Sequence, residues 1–69
     1  MTLGENLKAY RSMRGLSQQQ LADAAKVSQA TIAAYELDKK SPSIDIAARI
    51  ACALNIRLDM LCNDTVRQD

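Results

Sequence analysis

Two glutamines stand where an amide side chain can act on another molecule. Gln18 follows Ser17 and Gln29 follows Ser28, and a serine of this kind caps a helix, which puts each glutamine in a first turn. Free backbone N–H groups and the positive end of the helix dipole suit a phosphate oxygen there. Gln18 is therefore a candidate phosphate ligand; its other reading is an exposed residue that merely favours helix. Gln29 carries a donor and an acceptor together, the combination that pairs with an adenine edge in the major groove of duplex DNA. Ser28 and Thr31 beside Gln29, and Lys39, Lys40 and Ser41 beyond it, supply hydroxyls and cations of the type that touches phosphate. For the lysines, a solvated surface pair is the alternative.

Other chemistries find little support. The 69 residues contain no His, and the two cysteines, Cys52 and Cys62, form neither a CxxC nor part of a longer framework. A zinc site would have to recruit carboxylates at no recognisable spacing. Paired carboxylates, a Gly-rich phosphate loop and a nucleophile–base spacing are all missing, so the expectation is no catalytic residue, no metal, no cofactor and no enzyme. Neither a signal-like start nor an apolar run of about 18 residues is present, which predicts a cytoplasmic chain with no membrane association. Net charge is only +1, a weak footprint for a partner of nucleic acid, although residues 1–40 carry +2 and residues 41–69 carry −1.

The elements that must position these residues are legible from caps and periodicity. At this length the chain is one domain, burying only about 60% of the surface of its unfolded form. Its 48% hydrophobic content rests on Ala, Leu, Ile and Met, with no Phe or Trp, which predicts an all-α fold. Thr2 to Glu5 has the form of a capping box, and Leu3, Leu7, Tyr10 and Arg11 recur at helical spacing, giving a first helix from about residue 3 to Arg14 that Gly15 stops. Ser17 to Gln20 is a second capping box, opening a short helix from Gln18 to Ala25. After the turn Lys26-Val27, Ser28 caps a third helix, from Gln29 to about Leu37. Its inner arc is Thr31, Ile32, Tyr35 and Glu36; its outer arc is Gln29, Ala30, Ala33, Ala34 and Leu37. Ser43 caps a fourth helix with an apolar stripe of Ile44, Ala47, Ile50, Ala51 and Leu54, ended by Asn55. Ile56, Leu58 and Leu61 suggest a short fifth helix. The domain is expected to span residues 1–63, with 64–69 a polar tail.

Helices two and three are too short, and too closely joined, to lie antiparallel in full contact; they must cross steeply, as in a helix-turn-helix whose second helix enters the major groove. Over residues 3 to 61 the chain resembles the phage-repressor and Cro-type helix-turn-helix regulators. The residues that carry the likeness are Leu7 with Arg11, Gly15 to Gln18, Leu21-Ala22, Val27-Ser28, Thr31-Ile32 with Glu36, Ser41 to Ser43, Ala53-Leu54, and Ile56, Leu58, Asp59 and Leu61. The resemblance implies a lambda-repressor-like bundle of five helices that binds double-stranded DNA as a dimer, of bacterial or phage origin. It implies Gln18 as a phosphate clamp and an architectural ion pair between Arg11 and Glu36.

On this reading Gln29, Ala30, Ala33 and Ala34 face bases, while Gln18, Ser28, Thr31, Lys39, Lys40 and Ser41 face phosphates. The alanines offer only methyl groups, which pack on thymine methyls without reading a base by hydrogen bonds. An alanine-rich face is also what a close protein contact would use, so the rival is a protein-interaction module of the same fold, such as a toxin-neutralising partner.

The resemblance also marks departures. Lys26, Asp38 and Asn55 stand where the family often has a glycine in the left-handed conformation, and Arg57 stands where it often has a capping Ser. Ile46, Met60, Cys62 and Val66 are left as surface, which points to a homodimer through the fifth helix and the tail. Both cysteines are expected as free thiols, with Cys52 facing outward. With the chain ending soon after the fifth helix, no ligand-sensing domain is expected, and regulation would fall to concentration, a partner protein or competing operators.

Overall fold

A computed structural model describes residues 2–62 and shows five helices: α1 (Leu3–Met13), α2 (Gln18–Ala25), α3 (Gln29–Glu36), α4 (Ile44–Leu54) and α5 (Leu58–Cys62). The residues expected as a polar tail, and Val66 with them, lie outside the described residues. Both expected capping boxes form. The Thr2 hydroxyl accepts from the Glu5 N–H while the Glu5 carboxylate accepts from the Thr2 N–H, and Ser17 and Gln20 repeat the exchange. Ser28 and Ser43 cap α3 and α4 by accepting from the N–H groups of Thr31 and Ile46.

Four helix ends share one geometry. Gly15, Lys26, Asp38 and Asn55 all have positive φ, between 58° and 71°. The N–H after each reaches back to a carbonyl inside the helix: Leu16 to Arg11, Val27 to Ala22, Lys39 to Ala34 and Ile56 to Ala51, at 2.9 to 3.1 Å. This is the six-to-one bond of a left-handed C-terminal cap. Only one of the four positions has the residue that adopts it without strain. The three departures expected from the sequence therefore do take the left-handed conformation.

Asp38 uses that conformation. One of its carboxylate oxygens accepts from the Gly4 N–H at 3.0 Å and the other from the Thr2 hydroxyl at 2.7 Å. A residue ending α3 thus satisfies the start of α1. Gly4 is required at this joint, because a Cβ there would sit 2.5 Å from the Tyr35 carbonyl oxygen and 2.6 Å from that of Glu36. Arg14 makes the matching tie elsewhere, donating to the carbonyls of Leu54 and Asn55 at 2.7 and 3.2 Å, a cation set at the negative end of α4.

The core is Leu7, Leu21, Ile32, Ile50, Leu54 and Leu61, fully buried, with Ala22, Ala25, Ala47, Ala51 and Tyr35 between them. In it α2 packs on α3 and α4, while α1 packs on α3 and α5. The buried alanines let the short helices approach closely. Two expectations fail. Ile44 is not part of the α4 stripe but 70% exposed, because it occupies the first turn, ahead of the face that meets α2. Ile46, expected as leftover surface, is half-buried against the core. At the start of α5, Arg57 does not stand in for the capping hydroxyl; its guanidinium pairs with Asp59 at 2.9 Å, and this hydrogen bond lowers the pKa of the exposed Asp59 carboxyl.

Candidate nucleic-acid interface

The candidate surface starts from a buried charge. Arg11 on α1 meets Glu36 on α3 in two bonds, Nε to Oε2 at 2.6 Å and Nη2 to Oε1 at 3.2 Å, with side chains 14% and 4% exposed. The remaining guanidinium nitrogen, Nη1, donates to the Leu16 carbonyl at 2.7 Å, just before the cap of α2. A planar fork with donors on three nitrogens can hold a carboxylate and a carbonyl at once, which a lysine could not. The pair joins α1 to α3, and the bond to Leu16 ties the start of α2 to both.

The polar chain continues outward. Gln18 Nε2 donates to Glu36 Oε1 at 3.0 Å, and Gln18 Oε1 accepts from Gln29 Nε2 at 2.6 Å. The two glutamines are eleven residues apart and on different helices. No periodicity within one helix reports such a contact, and neither bond was legible in the sequence. The acceptor carboxylate forces the Gln18 amide to turn its nitrogen inward and its oxygen outward, and that oxygen in turn fixes the Gln29 amide. One N–H and the carbonyl oxygen of Gln29 are left for another molecule.

The remaining residues fall into two groups. Gln29 and Ala30 are exposed on α3, whereas Ala33 and Ala34 are half-buried, so the outward arc is open at its N-terminal end and partly shielded further along. Leu37 closes the arc, 66% exposed. Ser28 is exposed, but its hydroxyl already accepts from the Thr31 N–H and lies 2.8 Å from the Thr31 hydroxyl. Thr31 is half-buried; Lys39, Lys40 and Ser41 are exposed in the segment between α3 and α4. Asn6 did not stand out in the sequence: buried on α1, it donates to the Leu61 carbonyl at 3.2 Å and so ties α5 to the bundle. An Asn in the second turn of an amphipathic helix, on the side of Leu3 and Leu7, was the available signal.

Among the described residues, no group of three or more His, Cys, Asp or Glu could hold a metal ion, and no helix is long and apolar enough to cross a membrane. Cys52 and Cys62 are both free and exposed.

Comparison with known proteins places this geometry. A family described as helix-turn-helix matches residues 7–61. The immunity repressor protein of Bacillus phage phi105 is 36% identical over 64 residues, a match covering 93% of this chain and 44% of the repressor. The chain spans 44% to 60% of the length of the first three curated relatives it matches. Among solved structures, the P22 c2 repressor in complex with a synthetic operator superposes with a TM-score of 0.86 at 24% identity, over 90% of this chain and 94% of that one. The biofilm master regulator SinR in complex with DNA superposes with a TM-score of 0.83 at 26% identity, over 87% of this chain and 97% of that one.

Proposed function

The chain belongs to the helix-turn-helix family of phage-repressor and Cro type, and from that membership we propose that it binds double-stranded DNA sequence-specifically as a small transcriptional regulator, with α3 in the major groove. The observation that carries this is the polar chain from Arg11 through Glu36 and Gln18 to Gln29. The groups it leaves on Gln29, one N–H and one carbonyl oxygen, are the complement of adenine N7 and N6. An amide fixed before binding loses less freedom on contact than a free one, which favours affinity and discrimination.

Gln18 serves the phosphates on this reading. The backbone N–H groups in the first turn of α2 that have no partner within the helix supply the donors a phosphate oxygen would meet there. Ser28 and Thr31 at the start of α3, and Lys39, Lys40 and Ser41 after it, contact phosphate on the two sides of the groove. Removing either lysine reduces the salt slope of binding by about one. The protein acts as a homodimer through α5 and the residues after it, which would present two copies of α3 to a two-fold-related site. Met60 and Cys62, exposed on α5, support that assignment. The rival reading as a protein-interaction module has no support from the relatives, whose names are those of repressors and transcriptional regulators.

Selection from a pool of random duplexes at two salt concentrations tests the proposal, with Gln29→Ala selected in parallel. The expected result is a palindromic site whose binding weakens with salt and whose preference relaxes at one pair per half-site in the variant. Absence of any enriched sequence at low salt would overturn it.

A further inference from the structure

Lys26 ends α2 in the left-handed conformation, with φ 61° and ψ 45°. Of the residues at such turns it is the least suited, since glycine adopts the conformation freely and Asn and Asp tolerate it. Asp38 uses its turn to hold the start of α1 through two hydrogen bonds. Lys26 returns nothing of the kind: it is exposed, and its side chain makes no hydrogen bond or ion pair among the described residues. Asp23, the nearest acid in the chain, accepts from the Gln19 amide instead, at 2.8 Å. Strain kept without a return inside the fold is characteristic of functional positions.

Binding a duplex also requires cations that the fold has not already used. The guanidinium of Arg11 is held by Glu36, that of Arg14 by the carbonyls of Leu54 and Asn55, and that of Arg57 by Asp59. Lys26, Lys39 and Lys40 are exposed and bracket α3, Lys26 lying three residues ahead of Gln29 and the pair lying three and four residues past Glu36. We propose that Lys26 is a phosphate ligand, supplying at the start of α3 what Lys39 and Lys40 supply at its end. The inference rests on the DNA-binding reading above and adds a binding residue at a position where the family often has glycine. Lys26 stands two residues before Ser28, so their Cα atoms lie within about 7 Å. Its flexible four-carbon stem can bring the ammonium to the phosphate that Ser28 meets or to the next along the strand. A point charge needs no fixed fork of donors there, which suits a contact that positions the protein without reading sequence. The residue that strains the turn is then the one that strengthens the hold on DNA.

The test uses the full chain and the site obtained by selection, with Lys26→Gly, Lys26→Asn and Lys26→Arg. Glycine and asparagine take up the turn more readily than lysine, and circular dichroism checks that each variant is folded. Dissociation constants are measured from about 50 to about 200 mM salt. For Lys26→Gly and Lys26→Asn the salt slope is expected to fall by about one per chain bound, so that a deficit of at least about fourfold at the low end shrinks by that factor across the range. Lys26→Arg keeps the slope of wild type, and all variants select the same site. An unchanged slope in the glycine and asparagine variants overturns the proposal and leaves the DNA-binding reading standing; Lys26 would then serve only as a cation at the C-terminal end of α2. A changed base preference also overturns it, because a phosphate contact carries no sequence information. If wild type binds no duplex at low salt, the DNA-binding reading falls and this inference with it.

Discussion

Arg11 and Glu36 place opposite charges inside a bundle with little core to spare, and their value lies in what they hold. A buried pair gains little net stability over apolar residues of similar size, yet deleting one partner strands the other. Arg11→Ala is therefore expected to cost about 3–5 kcal/mol in chemical denaturation. Because Glu36 also orients Gln18, Glu36→Gln has a second expected effect. It keeps the shape but weakens the hold on both Arg11 and Gln18, so an operator-binding assay on folded protein should show reduced discrimination at the pair proposed for Gln29. Gly4 is a different kind of requirement. Its missing Cβ makes room for the carbonyls of Tyr35 and Glu36 at 2.5 and 2.6 Å. Gly4→Ala gains helix propensity, yet overpacking should dominate, lowering stability by roughly 1–3 kcal/mol in the same assay.

Helix ends separate what composition can specify from what only tertiary placement can. Lys26, Asp38 and Asn55 all adopt the left-handed conformation, but they stand in different situations. Lys26 is exposed, and its side chain makes no hydrogen bond among the described residues. Lys26→Gly should accordingly raise stability by up to about 1 kcal/mol, seen as a melting temperature several degrees higher. Asp38 accepts two hydrogen bonds from the start of α1. Asp38→Gly relieves the same strain and yet should lower stability by roughly 1–2 kcal/mol, since bonds to a charged acceptor are lost. An equal response to the two substitutions would show that the Asp38 carboxylate does not matter. All four serine or threonine caps, and the stops at Gly15 and Asn55, were legible in the sequence because they are local: residue type and position suffice. The left-handed ends at Lys26, Asp38 and Asn55 were legible only through the family resemblance, which places glycine there. The role of Asp38 toward α1, the tie from Arg14 to the end of α4, and the place of Ile44 were not. Each depends on which turn of one helix meets another, and the hydrophobic period does not encode that for short helices. The same limit hid the bond between Gln18 and Gln29, although both residues stood out as candidates from their chemistry.

At the scale of the whole molecule, the proposed dimer turns on the position of α5. α5 is short, running from Leu58 to Cys62, and is held by Leu61 in the core and by Asn6 donating to the Leu61 carbonyl. Its outward face carries Met60, 40% exposed, and Cys62. With Leu61 and Asn6 fixing α5, a charge at position 60 should alter the surface without disturbing the fold. Met60→Glu is expected to change melting temperature little, since an exposed substitution typically stays within about 0.5 kcal/mol. In a symmetric dimer through α5 the same substitution meets its own copy or apolar surface across the axis. Desolvating the carboxylate there should weaken self-association at least about tenfold, which sedimentation equilibrium would detect. Binding to a full palindrome should fall with it, while binding to an isolated half-site stays as in wild type. If Met60→Glu self-associates like the unaltered chain, α5 is not the interface, and the two copies of α3 must be brought together by another surface or by the DNA itself.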